Sequence, residues 1–372
     1  MTPKLLALCM MALCAAATLA DEPTGAELWI LSGQSNAGGK APDEFAPPKS
    51  EKVQWYDLQQ KQFSPVAGDL PGMTARYSPF HTAAAEVAQA GFTVKMMGYA
   101  KGGAPIRHWL EKDPKGDPTG LDKLHEVIGA AGKGADVFIW FHGGADRGMQ
   151  PRKYKRLVSE LIQDIRTAAG NPQMTVVIVQ SGGRGRGMLQ TGEIFAIREA
   201  QRQWVVEDGH AVLVPALGRA TIDGGHLTAQ SQAELGREIG RALLSFRHQK
   251  KDVNWPGPVL DKAGLGNDGR TVVVHFAEVE KLSGGNIEDF KVIDAAGEIR
   301  STKVDLGKTV VTLTLERELK LPAEVGYGYD TNPPGLLRDE AGNHAPTALI
   351  KIDQKTTIVD EPTTMPNGAG KP

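Results

Sequence analysis

Hydrophobic positions follow two patterns along this chain, one before Asn254 and one after it. In the first part, short apolar runs at residues 28–31, 92–97, 136–141, 174–179 and 211–214 read as buried strands. Segments of helical period lie between them, at residues 81–90, 152–169, 193–205 and 228–246. The second helix gathers Leu157, Leu161, Ile162 and Ile165 on one face, and the last gathers Leu235, Ile239, Ala242 and Leu243. This alternation predicts an α/β fold with a flavodoxin-like, five-stranded parallel sheet and helices on both faces, spanning residues 21–250. Residues 37–79, rich in Gly, Pro and polar side chains, are expected to form loops around the mouth of a site.

After Asn254 the helical period disappears. Runs at 272–276, 290–294 and 309–315 are strand-like and are separated by Gly, Asn and Asp turns, so residues 257–352 are predicted to form a small all-β sandwich. Residues 357–372, with Pro362, Pro366, Gly368, Gly370 and Pro372, read as a disordered tail.

The first apolar run matters most for chemistry. It breaks at Gly33, which places Ser35 in the turn just past a strand's carboxyl end, where open α/β sheets hold their ligands. Gly33-Gln34-Ser35-Asn36-Ala37 is not the G-x-S-x-G elbow, because Ala37 stands where the second glycine belongs. A serine becomes nucleophilic only when a base takes its proton. The best partner is His226, at the end of the last α/β unit, with Asp223 three residues earlier to accept its Nδ1 proton. A serine after a strand can also simply cap a helix.

Composition narrows the setting. Over 372 residues the net charge is −2 and no long basic run occurs, so a nucleic-acid surface has no electrostatic footprint. Residues 1–20 carry Lys4, then an apolar stretch ending in small residues, which is the form of a secretory signal peptide; a buried N-terminal helix is the other reading. Both cysteines, Cys9 and Cys14, lie inside that segment. The expectation is a secreted or periplasmic protein that is not membrane-inserted after signal cleavage. Gly307-Lys308-Thr309 is not a phosphate loop, since Thr302 stands where the first glycine of that motif is needed.

Four blocks occur in order: Gly33-Gln34-Ser35-Asn36, Lys101-Gly102-Gly103, Trp140 to Asp146, and Asp223-x-x-His226. Together they resemble the SGNH hydrolase superfamily, in its sialate O-acetylesterase and acetylxylan esterase branch, over roughly residues 26–246. The run Ile197-Arg198-Glu199-Ala200-Gln201 is similar to a helix of that branch, and the β-rich part to a domain that follows the catalytic one in many bacterial members. The resemblance implies the SGNH hydrolase fold and hydrolysis of O-acetyl esters on carbohydrates. It implies Ser35 as nucleophile, His226 as base and then acid, Asp223 as its orienting carboxylate, and no metal or organic cofactor. The Ser35 N–H and the backbone at Gly103 or Gly102 would form part of the oxyanion hole.

The third block departs from the pattern. Those esterases read W-x-Q-G-E-x-D, whereas here Trp140, Gly143 and Asp146 match while His142 replaces the glutamine and Gly144 the glutamate. At His142 an imidazole N–H can stand in as oxyanion donor, or the ring can simply fill space as a packed residue; Asp146 is expected to hydrogen-bond loop backbone. Candidate substrate contacts are Gln34 and Asn36 beside the serine, Trp109 (with Trp55 and Tyr56) for stacking on a sugar ring unless these rings only pack, and Arg184 for a sugar carboxylate, where a solvated loop is the plainer reading. The expected partner is an O-acetylated carbohydrate; oligomeric state stays open. Two other functions remain at this point: a catalytically impaired carbohydrate-binding relative, and an esterase of simple short-chain acyl esters.

Overall fold

The computed structural model describes residues 25–39, 49–66, 68, 70–73, 77–112, 114–131, 133–182, 192–330 and 336–353. The expected signal peptide with Cys9 and Cys14, the expected tail at 357–372, and Arg184 lie outside the described residues.

The first part is built from β1 (Ala26–Gly33), α1 (Ser35–Gly38), β2 (Val53–Asp57), β3 (Gln62–Pro65), α2 (Pro79–Gln89), β4 (Thr93–Ala100), α3 (Arg107–Leu110), α4 (Gly120–Ala131), β5 (Val137–Phe141), α5 (Pro151–Ala169), β6 (Thr175–Gln180), α6 (Glu193–Asp208), β7 (Ala211–Pro215) and α7 (Ala229–Phe246). The strands form one sheet in the order β3-β2-β4-β1-β5-β6-β7. All neighbours pair in parallel except β3, which runs antiparallel to β2.

The sheet therefore has seven strands, not the five expected from the sequence. The two extra strands, β2 and β3, come from the stretch read as loop. Val53-Gln54-Trp55-Tyr56-Asp57 is too short and too mixed to show a period, and its burial comes from long-range packing, with Trp55 and Tyr56 reaching the two opposite cores.

Side chains alternate between the two faces of the sheet. Val137, Ile139 and Phe141 of β5 join Trp29 and Leu31 in the core under α2 and α7, while Phe138 and Trp140 join Ile30 in the core under α4, α5 and α6. Being covered on both sides, β5 is buried at every position. The predicted stripe of α5 packs as expected into the second core, and the helix runs from Pro151 at its first turn to a left-handed Gly170. Helices α2 and α7 approach so closely that a β-carbon at Gly236 would lie 2.3 Å from the Pro79 carbonyl oxygen.

A β-rich second unit follows, made of β8 (Val259–Leu265), β9 (Thr271–Ala277), β10 (Phe290–Asp294), β11 (Gly297–Ile299), β12 (Ser301–Leu306), β13 (Val310–Leu315), β14 (Ala323–Tyr327) and β15 (Ala348–Asp353). Its order is β11-β10-β14-β15-β8-β9-β13-β12, antiparallel except for a short parallel pairing of β15 with β8. That pairing joins two four-stranded halves, which share one core in which the Phe276 ring of one half meets Tyr327 of the other at 6.0 Å.

The two units are stitched by buried polar contacts. Gln180 and Thr347 exchange two hydrogen bonds at 3.0 and 2.8 Å. Arg198, fully buried, donates to the carbonyls of Ser181 and Gly182 on one side and of Gly328 and Asp330 on the other. No helix among the described residues is long and apolar enough to cross a membrane.

Candidate active site

The site forms where three parallel strands end. At Gly33 the backbone takes φ +143°, and a β-carbon there would lie 2.1 Å from the Phe141 carbonyl oxygen, so a side chain is excluded. The turn is sewn to both neighbouring strands: the Gln34 N–H donates to Phe141 O at 3.0 Å, and the Lys101 N–H to Gly33 O at 3.0 Å. Ser35 follows as the first residue of α1, so no intrahelical acceptor exists for its N–H.

His226 arrives from the loop between β7 and α7. That loop ends where Thr228 caps α7 by accepting the Ser231 N–H. The His226 Nε2 lies 2.9 Å from Ser35 Oγ, and its Nδ1 lies 2.7 Å from Asp223 Oδ2. The other carboxylate oxygen of Asp223 accepts the backbone N–H groups of Gly225 and His226. Those bonds, led by the one from the His226 N–H, hold the Asp223 pKa well below the usual carboxylate range, so it stays ionised. An anion at Nδ1 fixes the proton there and leaves Nε2 bare, the tautomer that accepts a proton from Ser35. The sequence-predicted trio is thus brought together in one hydrogen-bonded line.

The second block forms a turn beside it. A β-carbon at Gly102 would lie 3.7 Å from Ser35 Cβ, and Gly103 adopts the left-handed φ of +69°. The turn closes with the Ala104 N–H donating to Lys101 O at 3.3 Å, and the Ile106 N–H donates to both oxygens of Asp146.

Several sequence expectations are corrected here. His142 does not present an N–H to the site: it is buried and its Nε2 is spent on the Ala104 carbonyl at 3.0 Å. Gln34 also turns away from substrate, donating its amide to the same carbonyl at 2.7 Å. Asn36 braces the histidine loop, donating to Gly225 O at 2.9 Å and accepting the Leu227 N–H at 3.1 Å. Trp109 is wholly buried, bonded to Ser32 Oγ and set edge-on against Trp140 and His142, so it cannot stack on a sugar. Trp55 and Tyr56 are likewise buried, their polar atoms bonded to Pro71 O and Ala130 O. The sequence reading missed the Ala104 carbonyl as a meeting point of two donors; a backbone acceptor leaves no trace in residue type. Among the described residues no cluster of His, Cys, Asp or Glu is placed to hold a metal ion.

Residues 25–245 match the family described as carbohydrate esterase, sialic acid-specific acetylesterase. The chain belongs to this SGNH-like esterase family. It is accordingly a carboxylic ester hydrolase. A carbohydrate acetylesterase from Xanthomonas citri has a similar fold, with TM-score 0.68 and 15% identity over 87% of this esterase and 80% of that chain. That share is larger than the α/β unit alone, so the likeness extends into the β-rich unit. A protein from Arabidopsis thaliana is similar with TM-score 0.51 and 21% identity, over 59% of this esterase and 98% of its own length. No curated protein matches this esterase in sequence.

Proposed function

We propose that this esterase removes O-acetyl groups from carbohydrates through a Ser35–His226–Asp223 triad. The observation that carries the reading is the unbroken line from Ser35 Oγ to His226 to Asp223, at 2.9 and 2.7 Å. Ser35 Oγ attacks the acetyl carbonyl carbon while His226 Nε2 takes its proton. The carbonyl oxygen becomes an oxyanion facing the Ser35 N–H and the Gly102–Gly103 turn, where each well-placed donor is worth about 2.7–4 kcal/mol. When the bond to the sugar oxygen breaks, His226 returns the proton to that oxygen and the sugar leaves with a free hydroxyl. Water then repeats the sequence on the acetyl-serine, releasing acetate and restoring Ser35. Asp223 stabilises the imidazolium in both halves and stays ionised throughout.

The family match supports an acetylated substrate, and the half-exposed His226–Asp223 pair supports one held at the surface, as on a polymer or glycan. The charged and apolar pattern of residues 1–20 supports export to a secreted or periplasmic location. A slower enzyme, or a glycan-binding relative, is the second reading, because no His142 side-chain donor faces the oxyanion.

The test is acetate release from 4-nitrophenyl acetate and from a panel of acetylated glycans, comparing wild type with Ser35→Ala and His226→Ala. Turnover by wild type that collapses by several orders of magnitude in both variants supports the reading. Wild-type turnover no faster than that of Ser35→Ala, with retained glycan binding, moves the assignment to the second reading.

A further inference from the structure

Ala104 carries an unusual load for a loop carbonyl. Gln34 Nε2 and His142 Nε2 both donate to its oxygen, at 2.7 and 3.0 Å, using both of its lone pairs. One donor comes from the residue preceding Ser35 and the other from the turn after β5, so this single atom ties two of the loops that meet at the site to a third. Among the described residues, the turn from Lys101 to Ala104 is otherwise held by Lys101 N–H to Gly33 O and by its own closing bond. Gly102 and Gly103 lie exposed between those anchors, with Gly102 directly beside Ser35.

His142 is built to serve this purpose. Its own carbonyl is pinned by Gln201 Nε2 at 2.8 Å and by Ser181 Oγ at 3.3 Å. Its ring stacks on Trp140 at 4.5 Å and meets Trp109 edge-on at 5.0 Å. Because a carbonyl can only accept, the ring proton belongs on Nε2. Nδ1 then faces Asp146 Oδ2 at 3.4 Å and the Tyr154 hydroxyl at 3.5 Å. No N–H remains for a substrate oxygen.

We infer that His142 is a positioning residue: it fixes the Ala104 carbonyl jointly with Gln34 and so aims the Gly102–Gly103 backbone at the oxyanion, instead of donating to that oxyanion itself. The inference rests on the esterase reading above, and it assigns the replaced glutamine position a different task. Burial keeps the imidazole neutral, which matches a fixed donor that does not change charge during turnover.

The test uses His142→Phe, which preserves ring volume and removes the donor, His142→Gln, which restores one, Gln34→Met, and the double variant His142→Phe/Gln34→Met. Each folded variant is assayed for kcat and KM on 4-nitrophenyl acetate, and amide exchange is followed at the Ala104 N–H. His142→Phe is expected to lower kcat by about 10- to 100-fold with KM nearly unchanged. Exchange at Ala104, whose N–H is bonded to Lys101 O, should rise by about tenfold or more, and His142→Gln should recover most of both. Since the two donors share one carbonyl, the double variant should lose more than the product of the single losses. An unchanged kcat in His142→Phe, unchanged exchange at Ala104, or strictly multiplicative losses overturns the inference. Where His142→Phe fails to fold, Gln34→Met must show the same kcat loss and faster exchange on its own. Because exchange is read without turnover, failure of the esterase reading, seen as wild type matching Ser35→Ala, is distinguishable from failure of this one.

Discussion

Asn36 holds the Leu227 N–H at 3.1 Å through its side-chain oxygen while its amide donates to Gly225 O at 2.9 Å. The residue after Ser35 thus grips both chain neighbours of His226. This explains how a histidine on a half-exposed loop stays in line with Ser35. Asn36→Ala removes both bonds and lets the loop drift, and a misplacement on the ångström scale is enough to cost about 10- to 100-fold in kcat. Thermal stability should change little by comparison, as two hydrogen bonds contribute about 1–3 kcal/mol together. Steady-state kinetics beside a melting curve check this; a kcat equal to wild type would show that the loop holds itself.

The charge on Asp223 sets the shape of the acid limb. Its pKa lies well below the carboxylate range, chiefly through the His226 N–H and then the imidazole. A depressed carboxylate contributes above its ordinary value and loses that contribution only as pH falls through the lowered one. Between pH 4 and 8 the carboxylate therefore stays ionised and adds no titration of its own to the acid limb. The logarithm of kcat/KM should therefore show no stretch of slope two on the acid side. A slope of two would mean the carboxylate titrates there as well. Asp223→Asn should cost roughly 10³–10⁴ in kcat, the scale of a triad that loses its orienting anion.

Ser35, Asp223 and His226 were legible in the sequence because each sits where an apolar run or a helix begins or ends, and chain order through an α/β sheet brings such ends together. The α/β architecture and the stripe of α5 were legible for the same reason. What side chains do at those ends was not. Trp109 reads as a loop aromatic, yet its direction is decided by Ser32 on β1 and by Trp140, both distant in sequence. Gln34, Asn36 and His142 carry groups that suit a sugar or an oxyanion equally well as a backbone. Their partners are a carbonyl at Ala104 and the backbone around His226, which residue type does not reveal. Strands β2 and β3 escaped because Val53-Gln54-Trp55-Tyr56-Asp57 and Gln62-Phe63-Ser64-Pro65 mix polar with apolar residues, unlike the equally short all-apolar run at 211–214.

His142 and Asp146 predict opposing effects of pH on stability. Burial lowers the His142 pKa from 6.5 to about 3 and raises that of Asp146 from 3.8 to about 6. From pH 4 to 6 the unfolded chain carries a proton on the histidine that the folded chain lacks, so this group makes stability rise with pH. Over the same interval the folded chain holds a proton on Asp146 that the unfolded chain lacks, so this group makes stability fall with pH. The two slopes offset. Removing one should expose the other: relative to wild type, stability of His142→Phe should decline from pH 4 to 6, and that of Asp146→Asn should increase. Urea midpoints at pH 4, 5 and 6 measure both, and parallel profiles for the two variants would contradict the assignment.

The β-rich unit bears on the site through Arg198. This buried guanidinium donates to Ser181 and Gly182 at the end of β6 and to Gly328 and Asp330 just past β14. Burial lowers its pKa from 12.5 to about 9, and the four carbonyls around it compensate the charge by hydrogen bonding. The Ser181 side leads to the site, because Ser181 Oγ and Gln201 both hold the His142 carbonyl. Arg198→Met keeps most of the side-chain length but leaves buried carbonyls unpartnered, at roughly 1–3 kcal/mol each. A loss of at least about 3 kcal/mol is expected, or a fall in Tm of roughly 4 °C for a chain of this size. A chain cut after residue 250 meets the same difficulty in larger form, since Gln180, Arg198 and Glu238 would lose Thr347, Gly328, Asp330 and His344 together. Calorimetry of the full chain should therefore show a single transition, and the truncated chain should not fold cooperatively. Two separate transitions, or a truncated chain that melts like the full one, would show that the α/β unit does not depend on the second.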